Sequence, residues 1–326
     1  MKALVIGGAG YIGSHMVKTL QRAGHEVAVF DNFSTGHREA IEDVKIYEGD
    51  LQAAAEIDPV LSGYRPDLVL HFAARSLVAE SMVDPALYHA NNTCGVMTLL
   101  DGMRRHKLDR LVFSSTAAVY GFPQQRRIDE SHPTAPINTY GWSKLFCESM
   151  ISDYCRAYGL RAAVLRYFNA SGADPSGTIG EAHEPETHLI PNVLRAAVGR
   201  ADKVTVFGKD HDTRDGYCVR DYIHVNDLAD AHLLAYDALN RADQPDFQLY
   251  NLGNGQGFSV IEVLRAAEAV VGRTIPMELA DRRAGDPPVL VAGAGKARSI
   301  LGWTPKIPEL HRIIATAWRW HQEQRY

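Results

Sequence analysis

Cysteine is scarce in this chain of 326 residues: Cys94, Cys147, Cys155 and Cys218 are the only four. No two of them form CxxC. That spacing excludes a disulfide framework and a cysteine-ligated zinc site, and it favours a reducing compartment, so a cytoplasmic protein is expected. No metal site is expected. Long apolar runs are also missing. The first one, in MKALVIGGAG, stops at Gly7, too short for a signal h-region or a membrane span. Charge of one sign is lacking as well, with 34 Lys+Arg against 39 Asp+Glu and a net charge of −5. Such a balance carries no electrostatic footprint for nucleic acid or an anionic membrane, and neither partner is expected. Internal repeats and low-complexity segments are absent from the sequence.

What is present is an alternation. Apolar runs at Ala3–Ile6, Val27–Phe30, Leu68–Phe72, Leu111–Ser114 and Ala162–Tyr167 read as buried strands. Amphipathic stretches lie between them: Ile12, Met16, Val17 and Leu20 at helical spacing, then long helices over Ala86–Arg105 and Tyr140–Tyr158. Continuous apolar strands separated by helices predict an α/β fold, a Rossmann-type doubly wound parallel sheet covered on both faces. After about residue 170 the pattern loosens into NASGADPSGTIGEAHEPETH, rich in turn residues. A smaller C-terminal α/β lobe is expected there, with strands at Val204–Phe207, Tyr222–Val225 and Gln248–Leu252 and helices at Ser259–Val271 and Leu310–Gln322. The division is 1–170 for the nucleotide domain and 171–326 for the substrate lobe, with about 224–255 a candidate to return to the first domain.

The first strand runs into Gly7-Gly8-Ala9-Gly10-Tyr11-Ile12-Gly13, a GxxGxxG spacing. Glycines there permit a tight turn and close approach of a pyrophosphate. The following helix points free N–H groups and its positive dipole end at the phosphates. Asp31 closes the next strand, 18 residues beyond Gly13. A carboxylate at that place accepts hydrogen bonds from an adenosine ribose and repels a 2′-phosphate, which favours NAD over NADP.

The sequence holds one YxxxK, Tyr140-Gly141-Trp142-Ser143-Lys144. On a helix those two side chains share a face, so an ammonium can sit beside the phenol and lower its pKa. A strand ending in Ser114-Ser115-Thr116 lies 24 residues upstream, counted from Thr116 to Tyr140. Hydroxyls at the carboxyl end of a parallel strand face the cleft.

With these motifs stand DNFSTG at Asp31, the HFAA run at 71–74, SSTAAVYG, RYFNASGA, CVRDYIHVNDLADAH and RRAGD, in that order. Together they resemble the extended short-chain dehydrogenase/reductase family, and within it the UDP-hexose 4-epimerases that interconvert UDP-glucose and UDP-galactose. The likeness runs from residue 1 to about Trp303. It implies Tyr140 as the base for the sugar 4-hydroxyl, Lys144 as holder of the nicotinamide ribose, and Thr116 as a hydrogen-bond partner of the 4-oxygen. Toward a tightly bound NAD, regenerated in each cycle, it implies Gly7, Gly10, Tyr11, Ile12, Gly13, Asp31 and Asn32. Asp50 and Leu51 match adenine contacts. Phe72, Ala73 and Ala74 match residues flanking the dinucleotide, and Asn91, Ser114 and Phe168 join them.

Toward the UDP-hexose the resemblance implies Ser76, Asn169, His188, Leu189, Thr205 and Phe207. Arg220, Tyr222, Arg283, Asp286 and Leu290 complete that side. Arg220 and Arg283 suit clamps on a diphosphate, because guanidinium offers paired donors. His188 stands where the best-known bacterial pattern has Asn, and Arg75-Ser76 replaces a stretch that can carry a lysine. The family also implies a homodimer through a four-helix interface.

Rival members of the superfamily make different demands. A 4,6-dehydratase places an Asp-Glu pair just after the Thr, and a UDP-glucuronate decarboxylase a Glu. Here Ala117 and Ala118 occupy those positions and cannot transfer protons. A non-catalytic NAD sensor usually loses the Tyr or the Lys, and this chain keeps both.

Overall fold

The computed structural model describes residues 1–241, 246–283 and 287–326. Its strands are β1 (Lys2–Ile6), β2 (Glu26–Asp31), β3 (Lys45–Glu48), β4 (Leu68–His71), β5 (Arg110–Thr116) and β6 (Arg161–Tyr167). They continue as β7 (Asn169–Ser171), β8 (Val204–Phe207), β9 (Val219–His224), β10 (Phe247–Leu252), β11 (Gly257–Ser259), β12 (Met277–Ala280) and β13 (Val289–Leu290). The α-helices are α1 (Tyr11–Arg22), α2 (Ala54–Tyr64), α3 (Val78–Val83), α4 (Pro85–Tyr88) and α5 (Gly95–His106). Then follow α6 (Thr139–Tyr158), α7 (Leu189–Ala197), α8 (Val225–Arg241), α9 (Val260–Val271) and α10 (Leu310–Gln322).

Seven parallel strands form the main sheet in the order β10-β6-β5-β4-β1-β2-β3. Alternation along each strand sends side chains to opposite faces. In β1, Ala3 and Val5 join a core with Met16, Val17 and Leu20 of α1 and Leu228 and Ala235 of α8. Leu4 and Ile6 point the other way, into a core with Ile57 of α2, Leu99 of α5 and Ile151 of α6. Helices therefore cover both faces, as expected of an apolar parallel sheet. The order reverses between β4 and β1, so a crevice opens at the carboxyl ends of those strands, where such folds bind nucleotides.

The helix that carries YxxxK has well-defined ends. Asn138 caps it by accepting the Gly141 N–H at 2.8 Å. It stops at Gly159, which is left-handed at φ 77° and bonds its N–H to the Cys155 carbonyl. The helix expected over 86–105 is more complex. Asp84 caps α4 by accepting the Leu87 N–H, and a π-helical segment, His89–Cys94, intervenes before α5. Such segments commonly mark functional sites, and this one carries Asn91 and Asn92.

The strand read at Gln248–Leu252, in the stretch that could return to the first domain, is β10, parallel to β6 at the edge of the main sheet. The strand expected over Tyr222–Val225 begins earlier, at Val219, and Val225 already opens α8. In the smaller lobe β9 pairs with β7, β11 and β13, while β8 pairs with β12. α7, α9 and α10 pack around a separate core that includes Ile190, Val263 and Ile313.

Candidate active site

The glycine-rich loop is built by close approach. Gly7 has φ +74°, and a Cβ there would lie 2.4 Å from the Ala73 nitrogen. A Cβ on Gly13 would lie 2.1 Å from the Gly7 carbonyl oxygen. Neither position can carry a side chain, so the loop stays flush against the β4 turn holding Phe72, Ala73 and Ala74. Gly10 is the N-cap of α1, with no side-chain cap among the described residues and no acidic residue in the first turn. The start of α1 at Tyr11 and Ile12 thus keeps its N–H groups and positive dipole end for an anion. Asp31 pins the loop by accepting the Ala9 N–H at 2.9 Å, and it also accepts the Phe33 N–H at 2.8 Å. Burial raises its carboxyl above the usual range.

Asn32 donates to Asp50 Oδ2 at 3.1 Å, which joins the two residues expected beside adenosine. Leu51 is buried in the core, beneath that pair. Tyr11 donates its hydroxyl to the Gly172 carbonyl at 2.7 Å, fastening the glycine-rich loop to the turn after β7. The backbone and carboxylate donor set therefore fits a dinucleotide.

Tyr140 and Lys144 lie on one face of α6, against the end of β5. Thr116 accepts the Ala118 N–H at 3.1 Å and caps the short 3-10 turn Ala117–Tyr120. Its hydroxyl is close enough to the Tyr140 phenol to favour the ionised form. Lys144 donates to the Ser114 carbonyl at 2.9 Å and lies over the Phe113 ring. Burial pulls its ammonium down to about 8, opposed by Cys147 and Glu148. The expected lowering of the tyrosine is not what the structure has. Burial pushes the phenol up to about 12, and the Thr116 hydroxyl only partly offsets this. The physical reason is the burial itself, and the one hydrogen bond of the Lys144 ammonium among the described residues goes to the Ser114 carbonyl.

A buried polar network stands behind these groups, and sequence reasoning missed it. Glu148, one turn beyond Lys144, accepts from the Ser115 hydroxyl at 2.5 Å and from Arg166 Nε at 2.9 Å. Arg166 lies over the Tyr120 ring, and Tyr120 donates to Asn251 Oδ1 at 2.6 Å. Asn92 accepts the Arg75 N–H and donates to the Arg75 carbonyl and to Ser143. Asn91, the residue singled out from the sequence, donates to Asn92 Oδ1 at 2.9 Å. His232 Nε2 lies 3.3 Å from the Ser114 hydroxyl, and its ring packs on Phe72. Glu148 was detectable as the i+4 neighbour of Lys144, and Arg166 as a charge inside an apolar strand.

The small sheet of the second lobe gathers the residues expected on the sugar side. Asn169 is the register partner of Tyr222, and Leu290 that of Arg220. Asn169 donates to the Asp221 carbonyl at 2.9 Å. Leu290 and Phe168 each pack against the buried cluster of Ala117, Val119, Tyr120 and Ile128, which follows Thr116 in the chain. Arg283 lies over the Phe207 ring at 3.8 Å. Thr205 donates to Glu278 across the β8–β12 pair. Leu189 opens α7, with His188 as its N-cap. Ser76 is exposed in the segment after β4. Asp286 lies outside the described residues.

A seven-stranded dinucleotide fold with Tyr140, Lys144 and Thr116 at the carboxyl end of β5 defines a short-chain dehydrogenase/reductase-like enzyme. Residues 3–253 match the model of the NAD dependent epimerase/dehydratase family, and the chain belongs to that family. It is 51% identical to a UDP-glucose 4-epimerase of Halalkalibacterium halodurans over 323 residues, covering 99% of this chain and 96% of that protein. It superposes on the crystal structure of the Brucella ovis UDP-glucose 4-epimerase in complex with NAD with a TM-score of 0.94, at 46% identity and 97% coverage of both chains. The Bifidobacterium longum UDP-glucose 4-epimerase, solved with NAD+ and UDP, gives 0.94 at 36% identity and 99% coverage of both.

Proposed function

We propose that this chain is an NAD-dependent isomerase, a UDP-glucose 4-epimerase that interconverts UDP-glucose and UDP-galactose within galactose metabolism. The observation that carries the reading is the meeting of Tyr140, Thr116 and Lys144 at the carboxyl end of β5, beside the glycine-rich loop.

Gly7, Gly10, Tyr11, Ile12 and Gly13 would hold the pyrophosphate of NAD, and Asp31, Asn32 and Asp50 its adenosine. Phe72, Ala73, Ala74, Asn91, Ser114 and Phe168 would flank the rest. Held there, NAD would supply the acceptor and donor of the C4 hydride and, when oxidised, a positive charge. Tyr140 removes the proton of the 4-hydroxyl and later gives it back. Thr116 orients the 4-oxygen and favours the ionised phenol. Lys144, held at the Ser114 carbonyl beside them, would hold the nicotinamide ribose and bring its positive charge to the site. Between the two half-reactions the sugar is a 4-keto species. It turns over before the proton and hydride return to the other face, so no cofactor is consumed. Arg220 and Arg283 hold the diphosphate, with Asn169, His188, Leu189, Tyr222 and Phe207 around the UDP. Ser76, Thr205, Asp286 and Leu290 complete the sugar and nucleotide contacts. Firm contacts on UDP and loose ones on the hexose suit a sugar that must rotate.

A homodimer and a cytoplasmic location belong to the same reading. Met97 of α5 and Trp142, Phe146 and Tyr158 of α6 are exposed and apolar, which supports pairing of these two helices with their copies. Among the described residues no helix is long and apolar enough to cross a membrane, and all four cysteines are free.

The test is incubation of the purified protein with UDP-galactose and no added NAD. UDP-glucose should accumulate to equilibrium. Bound NAD with no change in the sugar would overturn the reading.

A further inference from the structure

The loop between β7 and α7 carries Glu181, His183, Glu186 and His188, an E-x-H-x-x-E-x-H spacing. One ligand atom of each lies within 4.8 Å of all the others. Both histidines turn Nδ1 toward the carboxylates. His188 Nδ1 lies 2.6 Å from Glu181 Oε1 and 3.3 Å from Glu186 Oε1. His183 Nδ1 lies 3.2 Å from Glu181 Oε1 and 3.8 Å from Glu186 Oε2. Nitrogen and oxygen ligands about 2.0–2.2 Å from zinc stand about 3.3–3.6 Å apart along the edges of a tetrahedron. The four spacings bracket that edge.

Three further observations favour a cation at the centre. The carboxylates of Glu181 and Glu186 are 5% and 3% exposed, so two negative groups are nearly removed from water. Glu181 Oε1 is buried with no hydrogen bond among the described residues, despite the two nearby imidazoles. Its neighbours approach it without aiming at it, as atoms directed at a shared point do, and a buried acceptor left this way is costly. The loop is also braced from behind. Glu186 Oε1 accepts the N–H groups of Thr187 and His188, and Trp320 Nε1 donates to the Glu181 carbonyl at 2.9 Å. Such outer contacts orient metal ligands. A cavity of about 140 Å³ beside the cluster, reaching Arg200 and Gln324, gives an entry path.

We propose that Glu181, His183, Glu186 and His188 bind one divalent transition-metal ion. Two imidazoles with two carboxylates select zinc and its neighbours over magnesium and calcium, which prefer all-oxygen shells. Four protein ligands fill a tetrahedron, so the ion is structural rather than catalytic. It pins the loop whose last ligand, His188, is the N-cap of α7. The site takes no part in the Tyr140 proton transfer, but it shares His188 with the residues proposed around the UDP.

The test uses the full chain, treated with chelator and then dialysed. Calorimetric titration with zinc chloride at pH 7.5 should give one equivalent per chain and a raised Tm. Cobalt(II) should bind with the visible absorption of a tetrahedral centre. His183→Ala and Glu186→Gln should each weaken zinc binding at least about 10-fold, while Glu184→Gln, at an exposed neighbour, should bind as the unaltered protein does. X-ray absorption on the unaltered cobalt-loaded protein should show two imidazoles in the shell, a reading that does not depend on the variants folding. No stoichiometric binding, equal binding in the two ligand variants, or a shell without imidazole would each overturn the proposal and leave a cluster held by a proton.

Discussion

Lys144 of α6 donates to the Ser114 carbonyl of β5 at 2.9 Å, so one ammonium joins the catalytic helix to the catalytic strand. Its folded pKa of about 8 lies below the ordinary lysine value of about 10.4. Between those values the unfolded chain binds more protons than the folded one, so stability on this account rises as pH climbs from about 8 toward 10. Urea unfolding of the nucleotide-free protein and of Lys144→Met should show this. The difference in favour of the unaltered chain should grow by about 2 kcal/mol over that window. A constant difference would mean that the ammonium is not buried as described.

Tyr140→Phe keeps the ring and removes the titrating hydroxyl. Turnover should fall by about 10³-fold, with UDP affinity within a few-fold of the original. Steady-state assays alongside UDP titration separate the two effects. Near-normal turnover would take Tyr140 out of the reaction.

Glu148 and Arg166 form an ion pair in which both side chains are about 5% exposed or less. Glu148→Ala strands the guanidinium and should cost about 3–5 kcal/mol in urea unfolding. A Glu148→Met, Arg166→Met double variant removes both charges and should recover most of that loss. If the double variant is as unstable as the single one, the pair contributes more than its mutual neutralisation.

Leu290 is the register partner of Arg220 and packs against the cluster of Ala117, Val119, Tyr120 and Ile128 that follows Thr116. The resemblance to UDP-hexose 4-epimerases puts this position beside the sugar's C2 substituent, where a bulky Tyr goes with exclusion of N-acetyl sugars; Leu is smaller and brings no hydroxyl, which favours room for an acetamido group. Slow interconversion of UDP-GlcNAc and UDP-GalNAc is expected. Leu290→Tyr should suppress it far more than the UDP-galactose reaction. Equal losses on both substrates would show that Leu290 is not the gate.

Phe146→Glu places a charge on the exposed apolar stripe of α6. Light scattering at micromolar concentration should find a dimer for the unaltered chain and a monomer for the variant. A monomer in both would exclude the four-helix pairing.

The main sheet was largely legible because its strands are continuous apolar runs and its glycines stand at backbone contacts. β10 lies in the stretch, about 224–255, that could return to the first domain, but FQLYNL carries no mark of which sheet it joins; its register partner in β6, 85 residues earlier (Phe247 to Ala162), decides that. Tyr140, Lys144 and Thr116 could be found by spacing. Their electrostatics could not, since the raised phenol follows from burial and Lys144 is held by the Ser114 carbonyl, and both are tertiary facts. The π-helical turn at His89–Cys94 escaped for a similar reason: periodicity registers a helix but not one extra residue within it. Glu148 and Arg166 each left a mark, at i+4 from Lys144 and inside an apolar strand, but nothing in the sequence pairs the two, since their contact is tertiary.

The placement of β10 bears on how the chain is made. Residues 168–246, which include much of the smaller lobe, leave the ribosome after β6 and before β10. Until the last strand arrives, β6 offers an open edge of unpaired backbone groups, the feature through which nascent chains pair wrongly. β6 carries Arg161 near its start and Arg166 near its end, and Arg161 is only partly buried. A charge at that rim discourages intermolecular strand addition during the interval. Chains stalled before residue 247 should therefore need chaperone protection that complete chains do not.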